Sequence, residues 1–320
     1  MLKELAKNAG RKIVGDNPLL RRAIGSYFRR KKYITAALLA LYTFPVRGLL
    51  EFPRYDFIVS VASEDYYDAL HGLLKINSAD GFGLVRIGRE HDGGYIMLDD
   101  FPGGVAYSFG ISNDVSWDKD MASRGYDVFM YDHTIDGLPE NNPRFHWSKL
   151  GIGDGVSHDE MLKTLEELIS MNHHEDKRDM ILKMDVEGAE WGFLESVKPE
   201  TLAQFSQIVF EIHGMINPAD PERVLKLLRK INETHQLVHL HANNVGNYVT
   251  TGGKNFPALF EVSYVLRDKY KFSADYDVSL PLKIDMPNAT GWPEIPLGHW
   301  NNKTEFDGRM IYSSKLRIKP

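Results

Sequence analysis

The chain of 320 residues contains no cysteine. That excludes disulfides, thiol catalysis and zinc–thiolate centres, and it fits a reducing compartment. Long apolar runs are missing too: the best, residues 33–46, falls short of the roughly 20 residues that span a bilayer. It also stands too far from Met1 to read as an ordinary signal sequence, so a cytoplasmic location is expected. A large excess of one charge sign is lacking, with a net −6, and nothing general recommends nucleic acid as a partner. Internal repeats and low-complexity tracts are absent. Three N-x-T sequons, at Asn232, Asn288 and Asn302, read as chance occurrences in such a chain.

Length and a 43% hydrophobic content allow one large domain or two modest ones. Three regions are expected: a basic helical segment over 1–80, an enzymatic domain over 81–270, and a proline-rich tail over 271–320 that wraps the surface. Arg29-Arg30-Lys31-Lys32 leads directly into the apolar stretch. A basic amphipathic helix of that kind suits peripheral contact with the inner face of an anionic membrane; packing on the domain is the competing reading.

The middle of the chain alternates. Ser63 is a helix cap before the apolar stripe Tyr66, Ala69, Leu70, Leu73 and Leu74. Strands are expected over 105–109, 126–131, 145–150, 180–184 and 207–212, with helices between them. Ser157 to Glu160 reads as the capping box of one helix, and Asp220-Pro221 as cap and first turn of another. Strands over 236–241 and 258–266 follow without a helix between them. Alternating strands and helices mean a mostly parallel α/β sheet, and the closing pair implies an antiparallel edge hairpin. This is the pattern of a class I methyltransferase, a seven-stranded relative of the Rossmann fold with strand order 3-2-1-4-5-7-6.

The chemistry gathers where strands end. Ligands of open α/β sheets bind beyond the carboxyl ends of the strands. The run Met180-Ile-Leu-Lys-Met184 turns acidic at Asp185 and Glu187. Glu211 and His213 point to one face, as do His239 and His241, because side chains in a strand repeat every two residues. Asp185, Glu211 and His213 should converge, a carboxylate–imidazole set suited to Mg²⁺ or Mn²⁺. His213 or His241 is placed to act as general base. Gly110 ends the first strand, where the lack of a Cβ permits close backbone approach to a ligand. Asp132 follows 22 positions later, about where an acid meets a ribose diol. Arg86, Asp92, Gly93 and Tyr95 form a polar glycine turn that is a candidate acceptor loop, with Asn243 at the end of the sixth strand.

The motif Asp185-Val-Glu-Gly-Ala-Glu190, preceded by Ile-Leu-Lys-Met, resembles the central signature of the FkbM-type methyltransferases. Ser108-Phe-Gly-Ile-Ser-Asn-Asp-Val-Ser-Trp117 with Tyr131-Asp132 is similar to the cofactor-binding part of that family, and residues 86–95 to an upstream segment in one branch. The likeness covers about residues 80–270. It implies methyl transfer from S-adenosylmethionine, mostly to hydroxyls of sugars, polyketides or related small molecules. Ser108, Gly110, Asp114, Asp132, Asp154 and Asp185 are the positions it assigns to the cofactor, with Asp185 also catalytic and Glu187 facing the acceptor. The departure is a first turn with a single glycine. A catalytically idle nucleotide- or sugar-binding module at a membrane surface is the alternative, and a nicotinamide oxidoreductase is disfavoured by the same sparse glycines.

Overall fold

The structure is a computed structural model that describes residues 62–216, 218–273, 276–303 and 310–313. The basic segment 29–32, the apolar stretch behind it and the membrane contact expected of them lie outside the described residues. A seven-stranded sheet organises the rest. Its strands are β1 (Gly104–Phe109), β2 (Tyr126–Tyr131), β3 (Phe145–Ser148), β4 (Met180–Met184), β5 (Phe205–His213), β6 (His235–Ala242) and β7 (Leu259–Leu266). They lie in the order 6-7-5-4-1-2-3. β7 runs antiparallel to both β5 and β6, whereas β5, β4, β1, β2 and β3 are parallel. This is the class I methyltransferase order expected from the sequence. All five residues of β4 are buried, the physical reason its run is apolar except for Lys183.

Local chemistry sets the helices α1 (Glu64–Leu73), α2 (Ser116–Ser123), α3 (Leu165–Met171), α4 (Glu190–Ser196), α5 (Pro199–Leu202) and α6 (Pro221–Thr234). The Ser63 hydroxyl accepts the Tyr66 N–H at the start of α1. Asp220 accepts from Arg223 N–H at the start of α6, and Pro221 occupies a first-turn position where a missing N–H costs nothing. α6 turns Val224, Leu225, Leu228 and Ile231 inward. α1 packs beside it, and Asn232 donates to the carbonyl of Leu73, the last residue of α1. Tyr67, Leu70 and Leu74 share one apolar core with the sheet, so the expected boundary at residue 80 falls inside continuous packing.

Several expectations are corrected. Ser157 to Glu160 caps no helix. The capping box belongs to Thr164 and Glu167, and α3 begins at Leu165. Asp154 and Asp159 instead hold turns by accepting from Val156, Ser157 and Met161 N–H groups, and Leu162–Lys163 pairs with Gly151–Ile152 as a short strand. The tail does more than wrap the surface. Trp300 is fully buried in the core and donates its indole N–H to the Leu74 carbonyl at 2.8 Å. A hairpin of Tyr248–Thr251 and Lys254–Pro257, with Met310–Ser313 as its third strand, was not anticipated.

One further hairpin positions the site. Leu84–Ile87 pairs with Tyr95–Leu98, and Gln207 of β5 clamps it by bonding both the N–H and the carbonyl of Leu98. Ile87, Tyr95 and Met97 join Trp117 and Met121 of α2 in an apolar cluster on one sheet face. Tyr95 is thereby carried to the end of β4.

Candidate active site

A cleft of about 370 Å³ opens at the carboxyl ends of β1, β2 and β4. Its lining includes Arg89, Asp92, Gly93, Tyr95, Gly110–Asp114, Asp118, Tyr131, Asp132, Lys183, Asp185 and Glu187. Gly110 sits at φ +75°, a conformation that other residues resist. The close approach there is to the protein itself: a Cβ at Gly110 would fall 2.7 Å from the Asp185 carbonyl carbon and nearer still to its oxygen. Gly110 therefore lets the β1 turn lie against the end of β4.

Asp132 is placed where the sequence put it, on the cleft. Its Oδ2 accepts the N–H groups of Ile111 and Ser112, both at 2.9 Å, and its Oδ1 accepts from the N–H and hydroxyl of Thr134. Burial works against its charge, but these donors win and hold the acid below the usual carboxylate range. The structure thus uses Asp132 to shape the β1 turn. Asp114 links two loops, accepting from Ser116 and facing the Arg89 guanidinium at 3.4 Å. Gly93 leaves room for that carboxylate.

Four expected site residues stand elsewhere. Arg86 is a strut inside its own loop, donating to the Arg89 and His91 carbonyls, and Arg89 is the arginine on the cleft. Asp154 holds its surface turn, outside the lining, where Gly151 and Ile152 are found instead. Ser108 is fully buried beneath the floor. Asn243 is buried behind Glu211, to which it donates at 3.2 Å.

Asp185 joins the cleft to a second cluster. Ligand atoms of Asp185, Glu211 and His213 lie within 4.8 Å of one another. The Tyr95 hydroxyl donates to Asp185 at 3.1 Å. His213 Nδ1 meets Glu190 Oε1 at 3.1 Å, while its Nε2 faces Glu211 at 3.5 Å and Glu187 at 3.4 Å. Burial opposes a charge on His213, yet Glu190 with Asp185 and Glu187 keeps its pKa above the ordinary histidine value. Glu211 is pushed well up, first by burial and then by the neighbouring charges of Asp185, Glu261 and Asp92. Such crowding of acids is what a cation relieves.

His241 is no general base. It is buried away from the cleft, with Nδ1 on Glu261 at 2.9 Å and Nε2 on Glu294 at 3.3 Å. Burial disfavours its charge, but the two carboxylates outweigh that and raise its pKa to about 10. It ties β6 to β7 and the tail. Three residues of the site were not singled out from the sequence. Glu190 orients His213; Lys183 donates to the Gly110 carbonyl at 2.6 Å; Asp118 forms part of the cleft floor. Glu190 lay in plain view inside the acidic motif.

No curated protein matches the chain. Among solved structures, a provisionally named hemolysin from Streptococcus thermophilus is 12% identical over 51% of this chain and 59% of its own, with a TM-score of 0.30. A provisionally named DNA modification methyltransferase of an Escherichia coli prophage is 15% identical over 57% and 52%, at 0.36. A provisionally named sam-dependent methyltransferase from Streptococcus mutans is 10% identical over 59% and 56%, at 0.33. The chain thus spans little more than half the length of each, and the fold assignment rests on the strand order itself. The family description "Methyltransferase FkbM domain" matches residues 119–235, from α2 through β4 and β5 to the first residue of β6. Over that stretch, a little more than a third of its length, the chain is similar to the FkbM methyltransferase domain.

Proposed function

We propose that the protein is an O-methyltransferase that moves the methyl group of S-adenosylmethionine to a hydroxyl of a sugar or glycoconjugate, with a divalent cation held by Asp185, Glu211 and His213. The observation that carries this reading is the double position of Asp185, on the cleft and in the three-residue cluster at once. Cofactor and acceptor oxygen would then meet at one carboxylate. Positioning of donor and acceptor is the main protein contribution to an in-line displacement.

The residues fit the ion. Two carboxylates and an imidazole are a ligand set for Mg²⁺ or Mn²⁺. His213 presents Nε2 toward the cluster because Nδ1 is engaged by Glu190, the arrangement by which a carboxylate fixes a ligating imidazole. A bound divalent ion supplies the lowered pKa that an alcohol needs to act as a nucleophile near neutrality. Asp92 and Glu187, on the cleft beside Asp185, offer acceptors to the other hydroxyls of a polyol.

Exhaustive chelation should abolish methyl transfer from labelled S-adenosylmethionine, and Mn²⁺ or Mg²⁺ should restore it. Glu190→Gln should weaken metal affinity about 10- to 100-fold by titration calorimetry. Full turnover by chelated protein with no metal in elemental analysis refutes the cation and leaves His213 as a metal-free base.

A further inference from the structure

Among the described residues of the cleft lining, Asp118 is a buried carboxylate that the fold leaves unfinished. It is 1% exposed and belongs to the cleft lining beside Asp114, Trp117 and Lys183. Its Oδ1 has no hydrogen-bond partner among the described residues. A buried carboxylate oxygen without a donor is costly, and native structures seldom keep one without a reason. Burial raises the acid to about 6, while the Lys183 charge pulls it back toward ionisation; the Ser108 hydroxyl beneath the floor pulls the same way but stands outside hydrogen-bond geometry and is itself unpaired among the described residues. Lys183 does not complete it: the ammonium donates to the carbonyls of Gly110 and, at 3.5 Å, Phe109, and does not reach the Asp118 Oδ1. The neighbouring acids are already occupied. Asp132 accepts four protein donors, and Asp114 is engaged by Ser116 and Arg89.

S-adenosylmethionine ends in an α-amino acid, a cationic ammonium next to a carboxylate. An ammonium has three N–H donors and seeks charged acceptors. We infer that Asp118 receives the α-ammonium of the cofactor, making it a cofactor-binding residue contributed by the first turn of α2. The alternative is an indirect role, in which Asp118 merely fixes Lys183 and the Gly110 turn. The inference rests on the reading that this cleft takes S-adenosylmethionine.

The test is titration calorimetry of the whole protein with S-adenosylhomocysteine and with its analogue lacking the α-amino group. Wild type should bind the analogue about 10- to 100-fold more weakly, the range for a hydrogen bond to a charged group. Asp118→Asn, which keeps the shape and removes the charge, should weaken S-adenosylhomocysteine by a similar factor and leave the analogue's affinity unchanged. Equal losses for both ligands would show the indirect role and overturn the inference. So would wild type that binds the two ligands equally, a result that needs no variant to fold. Wild type that binds neither ligand overturns the cofactor reading itself, and this inference with it.

Discussion

Replacing Gly110 by alanine asks two things of the backbone at once. Alanine at φ +75° carries a strain of about 1–2 kcal/mol. Its methyl would also lie 2.7 Å from the Asp185 carbonyl carbon, where ordinary contact begins near 3.4 Å, and would overlap the carbonyl oxygen more severely. Both obstacles are backbone, so the β1 turn must move away from β4; overpacking of this kind costs about 1–3 kcal/mol. The sum is about 2–5 kcal/mol, which should lower Tm by at least about 4 °C. The displaced turn carries the Ile111 and Ser112 N–H groups that Asp132 holds, and the Gly110 carbonyl that Lys183 holds. Affinity for S-adenosylhomocysteine should therefore fall at least tenfold, on the order of 1.4 kcal/mol. Gly188→Ala is the internal control. Gly188 has φ +104° but open space where its Cβ would stand, so strain alone is at stake. Differential scanning calorimetry and ligand titration on the two variants separate the effects. If Gly110→Ala melts within a degree of wild type, or matches Gly188→Ala in both measurements, the close approach to β4 is irrelevant and the reasoning fails.

His241→Ala should cost about 3–5 kcal/mol, since it strands the buried Glu261 and the partly buried Glu294; loss of turnover without loss of denaturant midpoint would contradict a structural role. The folded pKa of His241, about 10, lies above its ordinary 6.5. Its contribution to stability is thus fully present below about pH 6.5 and disappears as pH rises through 10, so the wild-type midpoint should fall over that window more than that of His241→Ala. Trp300→Ala empties a core position and removes the bond to Leu74; it should cost about 3–5 kcal/mol by urea denaturation, although Trp300 lies in the tail. An unchanged midpoint would mean that the tail is dispensable.

Much of the fold was legible because burial and pattern coincide. β4 reads as five apolar-embedded residues since both of its faces are covered, and the Asp220-Pro221 start of α6 reads directly from capping chemistry. The convergence of Asp185 with Glu211 and His213 followed from strand order and side-chain parity. What escaped was set by partners distant in the chain. Nothing near His241 announces Glu294, 53 residues on, and without it the histidine looks like a base. Asp118 hides among the polar positions of a short amphipathic helix, where an acid ordinarily faces water. Arg86 and Arg89 are indistinguishable by spacing; only the folded loop decides which one turns inward on its carbonyls. Ser157 to Glu160 has the letters of a cap, but Asp154 and Asp159 bind the nearby backbone first.

The strand order bears on where this protein can be cut. The segment that matches the family, residues 119–235, includes β2, β3, β4 and β5 but neither β1 nor β7. β1 is the sole bridge between β2 and β4, and β7 the sole bridge between β5 and β6. Excised at the family's borders, the polypeptide would hold two disconnected strand pairs and bare hydrogen-bonding edges, the kind that recruit other chains into aggregates. Recognisable ancestry and physical autonomy therefore have different limits here: a transplantable unit has to reach back past Gly104 and forward past Leu266.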